Sequence, residues 1–188
     1  MARIPYVDKS ELSPENQDLL DKNYNAFRAL VNSPDCLRVF WGLGGYFQSG
    51  SLLSPRLREL ALLQIGCLSG CAYEWSHHVK IALAVGISEE EIRVVTAGKG
   101  HESVAFEPVE RAALRATCEM YQGIEASAET VAELRRLLGP SALVELVVLI
   151  GLYTGMVRIL STLGVDVEPE YETYLQRFPL PRRAVGRA

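Results

Sequence analysis

The sequence predicts an all-α protein on three observations. Ser-Pro helix-start signals recur at Ser13-Pro14, Ser33-Pro34 and Ser54-Pro55, and apolar residues after them repeat at three- and four-residue spacing. No stretch alternates convincingly with period two or carries an Asn-Gly or Asp-Gly hairpin turn. A length of 188 residues suits one domain, and a composition 48% hydrophobic can bury one sizeable core. The expected architecture is a single domain of about eight packed antiparallel helices spanning 1–188. Residues 168–188 form a C-terminal arm.

In chain order, Ser13 caps a helix with Pro14 at its first position, and Leu19, Leu20, Tyr24, Phe27 and Leu30 carry it to about Val31. Ser33-Pro34 opens an aromatic-rich second helix that weakens at Gly44-Gly45 and stops near Gly50. Ser54-Pro55 opens a third, apolar on more than one face and broken at Ser69-Gly70. A fourth helix runs from Cys71 to Val85, ended by Gly86, and Ser88 starts a short fifth with acidic residues in its first turn. Residues 97–107 read as the longest internal loop. Pro108 begins the sixth helix, Ser127 or Ala128 the seventh, and Gly139-Pro140-Ser141 separates that from an eighth. The eighth contains the longest apolar run, 142–156, which falls short of the ~20 apolar residues of a membrane span and reads as a buried helix. The tail from Glu168 carries Pro169, Pro179, Pro181 and three arginines after Phe178, and its end reads as a flexible or partner-bound arm.

Composition excludes several classes of function. The formal net charge of −4 arises from interspersed charges with no basic stripe, which argues against nucleic acid as a partner. The opening MARIPYVDKSELS has no apolar h-region, so a cytoplasmic protein without membrane attachment is expected. Four scattered cysteines, Cys36, Cys67, Cys71 and Cys118, imply reduced thiols rather than a disulfide framework. There is no glycine-rich phosphate loop and no double Cys pair for zinc.

Chemistry concentrates between Arg56 and Ile92. On a helix Cys71, Glu74 and His78 share one stripe, while His77 points elsewhere. A carboxylate one turn before a histidine can orient the ring, raise its basicity and fix its tautomer. Glu59 sits within the helix that should pack antiparallel to this one, where partial burial suits a general acid or base. The same residues admit plainer readings: Glu74 and His78 as a surface pair, Glu59 paired with Arg56 or Arg58, and Cys71 as a small buried hydrophobe. A three-ligand metal site from Glu59, Glu74 and His78 is disfavoured. Trp41, Tyr46, Phe47, Trp75 and Tyr153 are candidates to wall a ligand pocket, and His77 and His101 read as surface or structural.

The run from Arg56 through Ile92 resembles the signature of the carboxymuconolactone decarboxylase-like and alkyl hydroperoxidase D-like superfamily. The matching features are Arg56-x-x-Glu59-Leu, then Cys71-x-Tyr-Glu74-Trp-x-x-His78, then an alanine-rich helix ending in Gly86-Ile-Ser-Glu-Glu-Glu-Ile92. A weaker similarity extends from the Ser33-Pro34 helix to Val167-Glu-Pro. The resemblance implies an alkyl hydroperoxidase D-like helical fold, assembly as a homo-oligomer (trimer, hexamer or dimer) and no organic cofactor. It also implies two chemistries. In the hydroperoxidase branch a Cys-x-x-Cys pair reduces peroxides with an upstream glutamate and a histidine; those positions fall on Cys71, Glu74, Glu59 and His78. The second cysteine is a glutamate here, and a carboxylate cannot resolve an oxidised thiol; Cys67 would have to substitute. The decarboxylase branch moves protons on a small unsaturated lactone acid, and the Glu-x-x-x-His arrangement resembles it better. Cofactor-free acid-base catalysis of lyase or isomerase type on a small lactone or carboxylic acid is the leading expectation. A thiol-dependent hydroperoxidase centred on Cys71 and a non-catalytic ligand-binding oligomer are the alternatives.

Overall fold

The computed structural model describes residues 2–181. Among them eight α-helices and four short 3-10 turns are joined by loops, with no strand. The helices are α1 (Asn25–Leu30), α2 (Pro34–Ser49), α3 (Pro55–Ser69), α4 (Ala72–Ala84), α5 (Glu89–Thr96), α6 (Pro108–Gln122), α7 (Ala128–Leu163) and α8 (Glu172–Arg177).

α3 is the central element, because a helix apolar on nearly every side must be covered on every side. It packs against α4, α5, α6 and α7, and Leu60, Ala61, Leu63 and Ile65 lose all contact with solvent. Its start is fixed by Ser54, whose side chain accepts a hydrogen bond from the Leu57 amide, with Pro55 next in line. Its end is fixed by Gly70, whose φ of 61° reverses the chain within one residue. α3 and α4 then fold against each other so closely that a Cβ on Gly66 would lie 3.2 Å from the Trp75 Cα. This crossing brings Glu59 opposite His78.

Two apolar cores lie on either side of the α3–α4 pair. One gathers Ala61, Leu62, Cys71, Tyr73, Leu146, Leu149 and Ile150 with α6. The other gathers Leu60, Leu63, Cys67, Trp75, Val79, Ile92, Val95 and Phe178. A third, smaller cluster of Leu19, Leu20, Phe27, Val31 and Leu37 seats the N-terminal segment. Arg56 links three helices: it is paired with Glu91 of α5, with Glu110 of α6 at 2.7 Å, and donates to the Gly86 carbonyl.

The boundaries of α3, α4, α5 and α6 follow the sequence signals, and several other expectations are corrected. The helix expected from Pro14 to Val31 is a 3-10 turn (Pro14–Leu20) followed by the short α1, because Asn25 turns inward: its amide and side chain bond to Glu168 and the Asp166 carbonyl. α2 starts after Ser33 and stops at Gly50 as expected, and it stays helical through Gly44-Gly45. The expected seventh and eighth helices are both present within the span 128–163: they meet at a kink at Gly139, whose φ of 76° and ψ of 170° are not helical, and Pro140 opens the second, as the sequence signals place it. The apolar run of that second helix is not wholly buried, since Val144, Val147 and Val148 face outward.

The start of the C-terminal arm is packed, while the end that the sequence marks as flexible or partner-bound lies largely outside the described residues. Residues 168–180 dock on α4: Glu168, Tyr171 and Phe178 are buried, and the Trp75 indole donates to the Phe178 carbonyl at 2.7 Å. The three arginines that follow lie outside the described residues.

Candidate active site

Glu59, Glu74 and His78 converge. His78 Nδ1 lies 2.7 Å from Glu59 Oε2, across the α3–α4 interface, and His78 Nε2 lies 3.0 Å from Glu74 Oε1, one turn earlier on its own helix. The first contact is an aligned hydrogen bond. The second is close but poorly aligned, and it leaves the buried Glu74 Oε1 without a hydrogen-bond partner. All three residues are buried. Burial by itself lowers the imidazole pKa, but the two adjacent carboxylates reverse that and push it up to about 10. The raised pKa favours the imidazolium form of His78 at neutral pH, with a carboxyl group at each end of the ring. Glu59 pairs with this ring rather than with Arg56 or Arg58.

The triad opens onto a cleft of about 450 Å³, a size suited to a small organic ligand. Its apolar lining includes Phe27, Trp41, Phe47, Leu149, Tyr153 and Met156. Tyr153 meets the His78 ring edge-on at a centroid distance of 5.5 Å, and burial together with Glu74 and Glu59 holds its hydroxyl well above the ordinary range. Of the aromatic residues that the sequence offers as pocket walls, Trp41, Phe47 and Tyr153 line the cleft.

Tyr46 and Trp75 do not. Tyr46 is outside the cleft, donating to Glu145 at 2.7 Å, and Trp75 is wholly buried in the core on the far side of α4. The spacing of Trp75 from Glu74 explains the error: neighbours on a helix diverge by about 100°.

Cys71 occupies the N-cap position of α4 and is packed among α3, α6 and α7, not in the cleft lining. Burial raises its thiol pKa, against the partial relief offered by the Glu74 and Tyr73 amides and the Ser161 hydroxyl. Cys67 faces the opposite core, its sulfur near the Val95 and Thr96 carbonyls, with a pKa pushed by burial up to about 11. Both thiols are free. Among the described residues no group of three or more His, Cys, Asp or Glu side chains is arranged to hold a metal ion.

Beside the triad the structure adds groups whose partners the sequence did not name. His77, read from the sequence as surface or structural, is bonded to Glu168 at 2.8 Å and stacked between Tyr73 and Tyr171, with centroids 4.3 and 3.7 Å away. Its only sequence signal is Tyr73, four residues earlier. Lys22, Arg58 and Lys80 also line the cleft, and for Lys22 no local signal exists because the N-terminal segment arrives by long-range packing.

The fold is an all-helical single domain with a carboxylate-imidazole-carboxylate arrangement beside an apolar cleft. A family model described as "Carboxymuconolactone decarboxylase family" matches residues 34–119, which include Glu59, Cys71, Glu74 and His78. A protein of unknown function from Agrobacterium tumefaciens, named as a candidate antioxidant defence protein AhpD, is 26% identical with a TM-score of 0.64 over 73% of this chain and 93% of its own. An uncharacterized peroxidase-related protein with an alkylhydroperoxidase AhpD core from Ralstonia eutropha JMP134 shares 17% identity at a TM-score of 0.76, covering 96% of this chain and 98% of that one. A variant of the debrominase Bmp8 in complex with 2,3,4-tribromopyrrole is similarly close in fold, with 17% identity, a TM-score of 0.76 and coverage of 95% and 98%. No curated protein matches. The family match over residues 34–119 and the fold shared with AhpD-like structures support the carboxymuconolactone decarboxylase-like and alkyl hydroperoxidase D-like superfamily as the group this chain resembles.

Proposed function

We propose that the protein is an acid-base catalyst of lyase or isomerase type that acts on a small unsaturated lactone or carboxylic acid and relies on its own side chains. The observation that carries this reading is the His78 ring held between Glu59 and Glu74 at the wall of a mostly apolar cleft. Glu59 fixes the ring by accepting from Nδ1. The Nε2 proton faces Glu74 Oε1 at 3.0 Å without an aligned hydrogen bond, and Glu74 is the group placed to pass a proton to or from a ligand. A carbanion or dienolate formed on loss of carbon dioxide, or on removal of a proton beside a carbonyl, would develop its negative charge next to the imidazolium form of His78, where low dielectric strengthens the attraction.

The test is a panel of unsaturated lactone acids and enoic acids, followed by carbon dioxide release and by deuterium incorporation from solvent, with wild type, His78→Gln and Glu74→Gln. Turnover that survives in both variants would rule the reading out.

A thiol-dependent reading has one observation in its favour: Cys71 sits at the N-terminus of α4, with the Tyr73 and Glu74 amides and the Ser161 hydroxyl around its sulfur. Burial and the separation of Cys67 into another core weigh against peroxide reduction by a resolving disulfide. Brief exposure to an organic hydroperoxide, followed by peptide mapping, distinguishes the two: an unmodified Cys71 supports proton transfer, and rapid reversible oxidation supports the thiol.

The superfamily resemblance also leads us to propose a homo-oligomer. Light scattering on wild type and on Val148→Glu, which charges the exposed apolar side of α7, tests it through a change in mass.

A further inference from the structure

The charges in the cleft do not follow those of the chain. Overall the protein is acidic, with a formal net charge of −4, yet the cleft lining carries Lys22, Arg58, Lys80 and the His78 imidazolium against the carboxylates of Glu59 and Glu74. Both carboxylates are engaged with His78. None of the three other cations is paired with a carboxylate among the described residues. Lys22 reaches Gln48 at 3.1 Å and Lys80 reaches the Tyr171 hydroxyl at 3.3 Å, both from exposed positions at the mouth.

Arg58 is the informative one. It is half-buried beside Glu59, and its single hydrogen bond within the described residues runs from Nη1 to the Leu53 carbonyl at 2.9 Å. Arg56, two residues earlier, has its donors taken up by Glu91, Glu110 and the Gly86 carbonyl. The guanidinium of Arg58 thus retains unused donors in a fixed fork, the geometry that takes a carboxylate by two parallel hydrogen bonds. It is also close enough to Tyr153 for its charge to act on that hydroxyl, so cation and phenol border the same part of the cleft. A half-buried cation without a counter-ion, walled by aromatic rings, is a site short of an anion.

We propose that Arg58 anchors the carboxylate of an anionic ligand in this cleft, with Lys22 and Lys80 drawing the anion to the mouth, so that the site takes the free acid in preference to a neutral molecule of the same shape. Such a ligand has an apolar, ring-sized body against Phe27, Trp41 and Phe47 and a carboxylate on Arg58. Its remaining end falls toward Glu74 and His78. The orientation toward Glu74 rests on the acid-base reading above; the anion preference does not.

The test is isothermal titration calorimetry of the whole chain with benzoate and with benzamide, a neutral molecule of nearly the same shape, for wild type, Arg58→Met and Arg58→Lys, helix content being checked by circular dichroism. Wild type is expected to bind benzoate at least about tenfold more tightly than benzamide, the range of one charge-assisted pair. Arg58→Met should lose that preference with benzamide binding unaltered, and Arg58→Lys should keep part of it. Equal affinities in wild type, or a preference undiminished in Arg58→Met, overturns the proposal. The titration needs no turnover: a His78→Gln protein that is inactive but still prefers benzoate separates the anchor from the proton chemistry, and a catalyst with no such preference separates them the other way.

Discussion

His77 and His78 are adjacent in sequence, sit on the same helix, border the same cleft and each contact a carboxylate, yet their surroundings give them different work. His77 is held by Glu168, which also accepts from the Asn25 amide and the Tyr73 hydroxyl, and both faces of its ring are covered by tyrosines. Every member of that group is spent on joining the N-terminal segment, α4 and the C-terminal arm. His78 touches two carboxylates and one aromatic edge, and one of its carboxylates keeps an unpartnered oxygen. A satisfied polar network stabilises; an incompletely satisfied one, built at a cleft, is where chemistry has room to occur.

The contrast can be broken most severely at His78. His78→Gln should lower turnover by about 10²–10⁴-fold, the usual contribution of a positioned proton-transfer group, with the helical circular dichroism spectrum kept. His77→Gln should lower it by a small factor only, and equal losses in the two variants would erase the distinction. Next in size is Trp75→Ala. It empties a fully buried site and removes the donor to Phe178, so thermal or urea unfolding should show a loss of about 3–5 kcal/mol with the Michaelis constant unchanged. His77→Ala leaves Glu168 short of a donor and unstacks two tyrosines. A loss of about 1–3 kcal/mol is expected, together with faster hydrogen exchange across 168–180.

A smaller effect sharpens the comparison through pH. The folded-state pKa of His78 is raised from the ordinary 6.5 to about 10, so the folded protein holds this proton more tightly than the unfolded chain. The resulting stabilisation is fully present below pH 6.5 and is lost as pH rises through 10. Chemical denaturation midpoints should therefore fall across that window in wild type and fall less in His78→Gln. The smallest effect belongs to Cys71→Ser, which should keep most of the acid-base turnover because the thiol lies outside the cleft lining; abolished turnover would move the chemistry to sulfur.

How much of this was legible in the sequence depends on how local the cause is. Ser54-Pro55 and Gly70 are signals within a turn of the structure that they produce, so the α3–α4 hairpin was readable to a residue or two. The Glu74–His78 pair was readable for the same reason, since four residues make one helical turn. Glu59 required one further step, the antiparallel packing of two helices joined by a short break. Beyond that the local code fails. Asn25, where the chain resumes as α1 after the break in the expected first helix, bonds to residues about 140 positions away. Trp75 read as a pocket residue because composition reveals an aromatic but not which side of α4 it faces.

By itself the sequence determined the all-helical class, the boundaries of α3 to α6, and the presence of Glu59, Glu74 and His78 in one segment, because periodicity, caps and one-turn spacing are properties of neighbouring residues. Only the tertiary structure decided that His78 is held between two carboxyl groups that raise its pKa, that Cys67 and Cys71 face different cores, that the arm docks through Glu168 and Phe178, and that Arg58 is left with donors to spare. These are consequences of burial and long-range pairing, and burial is what sets a pKa and leaves a charge without its counter-ion.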